Sequence, residues 1–274
     1  MTSSLILSIT TFLYAIPAVL YISAWIFETE KPAKAAMWTG LAAISGNLLG
    51  FILRWIESYE KGYGHIPLSN LYESLVFFAL TIAVICLFLE WKYKTPYINA
   101  FAMPLAFIAI AYAALKGGTT EIQPLIPALK SNWLTVHVLT CFLGYAGFAI
   151  AFGISLMFIF KKTNSGPITD RLPEDDVLDE LTRQTVMFGF LFLTLGIITG
   201  AIWANSAWGS YWTWDPKETW SLITWFVYAI FLHLKYMREW NGTRLAVISI
   251  IGFAAVMFTY FGVNYLPGLH SYGK

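Results

Sequence analysis

Four histidines are the side chains of this sequence best suited to binding a metal or moving a proton near neutral pH. They are His65, His137, His233 and His270. A single histidine near a helix end is more often a hydrogen-bonded surface residue than a ligand, so each one needs support from its surroundings. The segment 62–67 around His65 holds two glycines and a proline, which is typical of a surface or loop-ordering residue.

The two cysteines do not indicate redox or zinc chemistry. Cys86 and Cys141 fall in different apolar stretches and form no Cys-x-x-Cys pair. Single buried cysteines usually pack as small hydrophobic residues, and we expect that of both. Cys141 lies one helical turn after His137, on the same face of a predicted helix.

Tryptophan is concentrated in one part of the chain, because six of the 12 tryptophans lie between Trp203 and Trp225. Three of them crowd the loop 206–218: Trp208, Trp212 and Trp214. Tryptophan gathers at membrane surfaces, but that preference explains only one or two rings per helix end. A group of this size suits a large, flat, apolar ligand that packs against aromatic rings.

The end of this loop carries a helix-start pattern. Asp215 as N-cap, Pro216 at the first helical position and Glu218 three residues after the cap resemble a capping box. We favour this structural explanation for Asp215, while a contact between Asp215 and a bound ligand stays open.

The elements that must position these residues are membrane helices. A chain of 274 residues with 58% hydrophobic and only 12% charged residues is too apolar to form a water-soluble surface. The net charge of +1, without a basic block, excludes nucleic acid as a partner. The first apolar stretch has no preceding positive charge and is too long for a signal peptide, so we expect it to be retained.

Eight apolar stretches reach the roughly 20 residues that a helix needs to cross a hydrocarbon core of about 30 Å. They lie at residues 4–27, 35–56, 70–91, 97–115, 133–160, 185–205, 219–238 and 244–264. We therefore predict an all-α, polytopic membrane protein with about eight transmembrane helices and a single integral membrane domain, residues 1–274. The longest connection, 161–184, is polar and is predicted to be a loop on the inner side.

Lysine and arginine are distributed unequally between the two sides of this topology. The connections after the first, third, fifth and seventh spans hold eleven of the 17 basic residues, and the other side holds six. By the positive-inside rule, the richer side is the side of synthesis, and both termini lie on the outer side. This places His65, His137, His270 and the loop 206–218 at the outer surface. His233 lies about 20 Å along its span, at membrane depth.

Two outer imidazoles beside a tryptophan-rich surface are what a haem site needs, since haem takes two axial nitrogen ligands and apolar walls. His233 is a separate candidate, because an ionisable residue inside a membrane is functional by default, although a neutral histidine bonded to a neighbouring helix is the alternative. Three basic residues on the outer side are candidates to bind the haem propionates: Arg54, Lys130 and Lys217. Basic residues also anchor helices at the membrane surface, and we favour that explanation for all three.

Three further features concern helix packing and helix ends. The glycine pairs Gly46 with Gly50 and Gly196 with Gly200 have the spacing that lets helices approach closely, which we interpret as packing. Glu73, in the first turn of the third predicted span, is either an acid favoured at a helix N-terminus or a polar contact at the ligand site.

The segment from Trp208 to Asp215 resembles the tryptophan-rich WWD signature, WGxxWxWD, of haem-handling proteins of cytochrome c biogenesis. Segments 67–74, 130–137 and 268–272 are similar to the CcsA (ResC) family of the System II pathway. The resemblance covers essentially the whole chain from the second span to the last residue.

The resemblance implies a function and a set of partners. Such proteins bind haem b in the membrane and present it at the outer face for thioether attachment to the Cys-x-x-Cys-His thiols of apocytochrome c, as part of a cytochrome c haem lyase complex. His137 and His270 match the axial ligands of the outer haem, bordered by the tryptophans and Asp215 of the loop. His233 matches the ligand of a second haem, whose other histidine comes from a CcsB (ResB)-like membrane subunit. The implied location is the bacterial cytoplasmic membrane or the thylakoid membrane.

Two alternatives remain at the level of sequence. One is a System I haem-delivery chaperone, which shares the WWD signature, although the eight predicted spans and the segment 70–74 favour System II. The other is a transporter or quinone-binding membrane protein whose aromatic residues line a path without iron.

Overall fold

The computed structural model describes residues 2–116 and 120–267, in which the chain forms α-helices joined by short loops and no β-strand. Nine helices lie in these ranges: α1 (Ser3–Phe27), α2 (Glu30–Glu60), α3 (Leu71–Tyr93), α4 (Asn99–Lys116), α5 (Asn132–Thr163), α6 (Pro167–Asp170), α7 (Asp175–Trp208), α8 (Pro216–Met237) and α9 (Thr243–Tyr260). The prediction of an all-α polytopic membrane protein is confirmed. Each of the eight predicted spans overlaps one of the long helices, and the largest difference is at the sixth span, which was predicted from residue 185, whereas α7 begins at Asp175.

Seven of the long helices in the described ranges are long and apolar enough to cross a membrane. The exception is α8, which we predicted as the seventh span. This helix has 22 residues, which is long enough, but tryptophan, tyrosine, threonine and His233 lower its mean hydropathy. The one long helix of the described ranges without such an apolar stretch is therefore the one that carries a candidate ligand.

The helices extend beyond the apolar stretches into the polar connections. In the segment 161–184, α5 continues to Thr163 and α7 begins at Asp175, so only a short stretch containing the single-turn helix α6 connects them. The loop 206–218 is similarly shortened to residues 209–215. Hydropathy identifies only the apolar part of a helix, whereas the backbone hydrogen bonds of the helix continue into the polar residues on either side.

The first of two compact units contains α1 to α4 and α6, within residues 1–127 and 160–173. Its helix ends are closed by side chains from other helices. Glu57 accepts hydrogen bonds from the Ser3 backbone nitrogen at 2.7 Å and from the Ser3 hydroxyl at 2.5 Å, which satisfies the start of α1. Trp25, near the end of α1, donates to the Ile168 carbonyl at 2.9 Å.

The second unit comprises residues 128–159 and 174–274, with α5 up to Ile159 and the helices α7, α8 and α9. Glycine allows α5 and α7 to touch through their backbones: a Cβ atom on Gly147 would lie 2.9 Å from the Thr185 carbonyl oxygen. Tyr228 of α8 stacks on Phe148 of α5, with ring centroids 3.5 Å apart and 4° between the planes. These contacts fix the helices that carry the candidate site.

Candidate functional site

The tryptophan-rich loop is held between two residues in left-handed backbone conformations. Gly209 ends α7 with φ of 77°, and its backbone nitrogen donates to the Asn205 carbonyl at 2.9 Å. Trp214 has φ of 58°, which is unusual for a residue with a Cβ atom, and its side chain is 69% exposed. A bulky residue in this conformation costs free energy, so the contacts of the surrounding structure must hold the backbone in place here.

The predicted capping arrangement is present at the start of α8. Asp215 accepts a hydrogen bond from the Lys217 backbone nitrogen at 2.9 Å, and Glu218 accepts one from the Asp215 backbone nitrogen at 3.2 Å. Glu218 also accepts from the Thr213 nitrogen at 2.7 Å, which ties the loop to the helix. Asp215 is buried and has the structural role that we favoured, and its contact with a ligand stays a prediction.

His137 lies near the start of α5 and is held by the backbone of α7. Its Nδ1 atom is 2.7 Å from the Gly196 carbonyl oxygen. Because a carbonyl oxygen can only accept, Nδ1 carries the proton and donates, and in the neutral ring Nε2 is then the nitrogen with the lone pair. Metal-binding histidines usually donate their other ring N–H to a carbonyl or carboxylate in this way, which fixes the orientation of the imidazole.

Aromatic contacts lead from His137 toward the loop. The ring of Trp203 lies 6.1 Å from that of His137, with only 12° between the planes, and Trp203 meets Trp208 edge to face at 5.2 Å. In the loop, Trp212 and Trp214 are nearly perpendicular, with centroids 5.7 Å apart. The structure therefore brings His137, Trp203 and Trp208 together.

Trp203 is a member of the site that the sequence did not single out. It is buried, and its indole nitrogen donates to the Ala128 carbonyl at 3.0 Å. Its position in an apolar stretch, ahead of the loop signature, made it indistinguishable from a packing residue. The useful signal was its place at the start of the tryptophan-rich segment. In contrast, the Trp212 indole nitrogen is buried with no hydrogen-bond partner among the described residues.

His233 lies far from this group along α8. It is the seventeenth residue after Pro216, which at 1.5 Å per residue places it about 25 Å from the start of the helix. The imidazole is exposed and makes no hydrogen bond within the described part of the chain. The same face of α8 exposes apolar side chains one and two turns earlier, namely Phe226 and Ile230, each 52% exposed.

His270 lies outside the described residues, so its position relative to His137 stays a prediction. His65, in the first unit, is buried and orders a loop, which is one of the roles expected for it. Its Nδ1 lies 3.0 Å from the Ile66 carbonyl oxygen and its Nε2 lies 2.9 Å from the Gln123 carbonyl oxygen. Both ring nitrogens of His65 are therefore used by the loop.

The candidate propionate-binding residues differ in their surroundings. Arg54, in the first unit, is buried and forms a 2.7 Å ion pair with Glu73, and it also donates to the Thr120 carbonyl at 2.7 Å. In the second unit Lys130 is exposed. Burial lowers the pKa of Lys217, which precedes the apolar part of α8, and the nearby Asp215 carboxylate opposes that shift.

Glu73 has a structural role in the first turn of α3. Besides pairing with Arg54, it accepts hydrogen bonds from the backbone nitrogen and the hydroxyl of Ser69, at 2.8 and 2.7 Å. Asn70 caps the helix by accepting from the Glu73 nitrogen at 2.9 Å. Of the two interpretations of Glu73, the helix-terminal acid is the one that its contacts support.

The cysteines and the acidic residues form no site of their own. Cys86 and Cys141 are free thiols and buried, as their apolar surroundings indicated. Within residues 2–116 and 120–267, no group of three histidine, cysteine or acidic side chains is placed to hold a metal ion. A single histidine beside tryptophan rings fits an iron whose equatorial ligands come from a macrocycle, because such an iron needs only axial ligands from protein.

Comparison with known proteins shows the family of the chain. Residues 68–270 match the family model described as cytochrome C assembly protein. A protein named cytochrome c biogenesis protein CcsA from Prochlorococcus marinus (strain MIT 9313) is 38% identical, over 95% of this chain and 90% of the relative. A protein of the same name from Guillardia theta is 37% identical, over 92% of this chain and 91% of the relative.

The fold also resembles a solved structure. The protein named cytochrome c haem lyase CcmF superposes with a TM-score of 0.71 at 18% sequence identity, over 96% of this chain. This chain spans 50% of the length of that protein, so the likeness concerns the fold of the shared part alone.

Proposed function

Because this chain belongs to the cytochrome c assembly protein family, and therefore has a role in cytochrome c maturation, we propose that it binds haem b and presents it for covalent attachment to apocytochrome c. The chain is a multi-pass integral membrane protein. Its relatives come from cyanobacteria and a plastid-bearing alga, consistent with the bacterial cytoplasmic or thylakoid membrane. The relatives named CcsA are those that the System II resemblance implied, so we retain System II as the proposed pathway.

One observation carries the proposal: the position of His137 between the backbone of α7 and the ring of Trp203. The Gly196 carbonyl accepts a hydrogen bond from Nδ1–H, which leaves Nε2 as the nitrogen able to bind iron. The nearly parallel Trp203 ring and the edge-on Trp208 ring add apolar surface beside it. We propose His137 as one axial ligand and His270 as the other.

The loop supplies the remaining walls of this proposed site. Trp208, Trp212 and Trp214 present flat apolar surface, and the buried Trp212 indole N–H can donate a hydrogen bond to a polar group of the ligand. Asp215 fixes the loop against α8 and acts on the ligand through the loop. These residues orient the haem and shield it from water, and acid–base catalysis is not their role.

We propose that His233 holds a second haem together with a histidine of a CcsB (ResB)-like subunit. An imidazole exposed at membrane depth, on a face of α8 with apolar side chains, is costly in lipid unless another group binds it. No residue in the described part of the chain does so by a hydrogen bond. A partner subunit that contributes the second ligand accounts for this exposure.

The proposed reaction is the addition of two apocytochrome thiols to the two vinyl groups of haem. Each S–H adds across one C=C bond, so a C–S bond forms and the hydrogen goes to the other vinyl carbon, with no net oxidation or reduction. The chain contributes by holding the ring plane fixed through its axial histidines while the thiols approach. The apocytochrome histidine then takes the place of one of these ligands on release.

The test is the absorption spectrum of the full-length chain purified from membranes with its partner subunit. We expect a low-spin, bis-histidine haem spectrum, and we expect His137→Ala to lose the outer haem while the haem at His233 remains. His65→Ala is the matched control, because His65 is also bonded to carbonyl groups but lies in the first unit, and it should retain both haems. A wild-type chain without any Soret band would reject haem binding and leave the transporter or quinone alternative. Equal haem loss from His137→Ala, His270→Ala and His233→Ala would indicate one site.

A further inference from the structure

The two glycines of the Gly196–Gly200 pair each face a particular side chain of α5. A Cβ atom on Gly200 would lie 2.6 Å from His137 Nδ1 and 2.8 Å from its Cε1. A Cβ atom on Gly196 would lie 2.6 Å from the sulfur of Cys141. Real Cβ atoms do not approach other atoms this closely, so the imidazole occupies space that only glycine at position 200 leaves open.

The hydrogen bond of His137 depends on this space. In α7, the Gly196 carbonyl points along the helix toward the backbone nitrogen of residue 200, four positions later. A ring that donates to this carbonyl at 2.7 Å must therefore lie over the backbone near Gly200. The Cys141 sulfur is also near Nδ1 but at 3.6 Å, so the carbonyl is the better acceptor.

We infer that Gly196 and Gly200 are positioning residues for the haem ligand: the Gly196 carbonyl fixes the tautomer and the ring plane of His137, and Gly200 provides the space for the ring. This inference rests on the proposed function, because it concerns His137 as an axial ligand. It goes beyond the helix-packing role that the spacing of the pair indicates, because the side chain of α5 that faces Gly200 is His137, the proposed axial ligand.

The inference has electronic and geometric consequences. A hydrogen bond from Nδ1–H to a carbonyl makes the imidazole a stronger donor to iron, which favours the ferric state. It also keeps Nε2 in the same direction whether or not iron is bound, so the site is ready for the next haem after the apocytochrome has taken the previous one. Displacement of the ring should weaken haem affinity and make the midpoint potential of the bound haem more positive.

The test uses the full-length chain with His233→Ala, so that the haem spectrum reports the outer site. In this background, we expect Gly200→Ala to weaken haem affinity about 10- to 100-fold in a haemin titration, the range for groups that orient metal ligands. The residual haem should lose low-spin character and shift to a more positive midpoint potential. Added imidazole should restore the low-spin spectrum of the haem that elutes with the chain in size-exclusion chromatography, because it replaces the displaced ligand, whereas an unfolded chain should retain no haem.

The matched control is Gly252→Ala in the same unit. Its Cβ atom would lie 2.6 Å from the Tyr228 ring, so the clash is equally close but falls on a packing residue. We expect this variant to lose thermal stability and to keep its haem affinity and midpoint potential.

The outcomes separate this inference from the proposed function. If His137→Ala itself keeps the low-spin spectrum, His137 is not the ligand and the proposed function fails at this residue. If His137→Ala loses haem while Gly200→Ala binds it with unchanged affinity and potential, only the positioning role is wrong. If Gly200→Ala and Gly252→Ala change the haem spectrum equally, the glycines serve packing alone.

Discussion

The two glycine pairs have the same spacing in the two units of the chain but face different neighbours. In the first unit, a Cβ atom on Gly46 would lie 2.7 Å from the Thr10 hydroxyl and one on Gly50 would lie 2.6 Å from Leu7. In the second unit, the corresponding atom on Gly200 would meet the imidazole of His137. Small residues at helical spacing thus allow close approach in both units, and the facing side chain decides whether the result is packing or ligand positioning.

The buried His65 and the half-buried His137 also differ in their hydrogen-bond partners. His65 gives both ring nitrogens to carbonyl groups of its own unit, whereas His137 is anchored through Nδ1 to one carbonyl of α7. The first unit uses its polar side chains to close loops and helix ends. The second unit directs its aromatic and histidine side chains toward a proposed ligand. We therefore expect substitutions at the buried polar residues of the first unit to change stability, and those at His137 and Gly200 in the second unit to change haem binding.

The largest expected effect on stability comes from the buried Arg54–Glu73 ion pair. Arg54→Met leaves the Glu73 carboxylate buried without its partner, so we expect the free energy of unfolding to fall by about 3–5 kcal/mol. The measurement is chemical unfolding of the full-length chain in detergent micelles. The double variant Arg54→Met Glu73→Gln removes both charges and should recover much of the loss.

The contrast between the two units would fail if Arg54→Met changed haem binding and left the free energy of unfolding unchanged. The matched control is Lys34→Ala, which removes an exposed ion pair with Glu30 and should leave the unfolding midpoint unchanged. An Arg54→Met chain with unchanged stability but lost haem would mean that Arg54 acts on the ligand, as a propionate partner does.

Gly50→Ala is the intermediate case, because it repeats the Gly200→Ala substitution in the other unit. The new methyl group would press on Leu7, and overpacking of this kind costs about 1–3 kcal/mol. We expect a lower unfolding temperature with an unchanged haem spectrum per folded chain. A shifted haem midpoint potential in Gly50→Ala would show that the spectrum responds to any helix displacement, and the contrast between the units would be lost.

The smallest expected effect concerns Asp215, which belongs to the second unit but has a structural role. Asp215→Ala removes the N-cap acceptor of α8 and should cost about 1 kcal/mol, while Asp215→Asn keeps an acceptor and should cost less. Haem affinity, measured by titration, should depend on whether residue 215 still accepts the hydrogen bond that caps α8. It should therefore fall in the alanine variant only. Equal loss of haem affinity in both variants would instead mean that the charged carboxylate of Asp215 interacts with the haem.

Much of the fold was predictable from the sequence, because membrane helices are marked by apolar length. Eight stretches predicted eight helices, and the family resemblance is confirmed by relatives of 38% identity. The sidedness of the termini stays a prediction. The cap at Asp215 was also predictable, since an N-cap and its Glu218 partner lie three residues apart in the sequence.

Contacts between distant positions were not predictable in the same way. Nothing in the sequence pairs Glu73 with Arg54, 19 residues earlier on another helix, so its two interpretations could not be separated. The hydrogen bond from His137 to Gly196 joins residues 59 positions apart and uses a backbone carbonyl, which every residue has. Trp203 was missed because burial of a tryptophan depends on the packing of neighbouring helices.

The composition of α8 also has a consequence for how the protein is made. Because α8 lacks an 18-residue stretch as apolar as those of the other long helices, it partitions poorly into lipid on its own, so it should enter the bilayer as a hairpin with α9, the next helix to be translated. Two contacts between α8 and α9 would stabilise this hairpin: the Thr224 and Thr259 hydroxyls lie 3.1 Å apart, and Trp220 packs on Phe258. Insertion of the helix that carries His233 then waits for α9 to leave the ribosome, which delays formation of that site until the helices that precede α8 are in place.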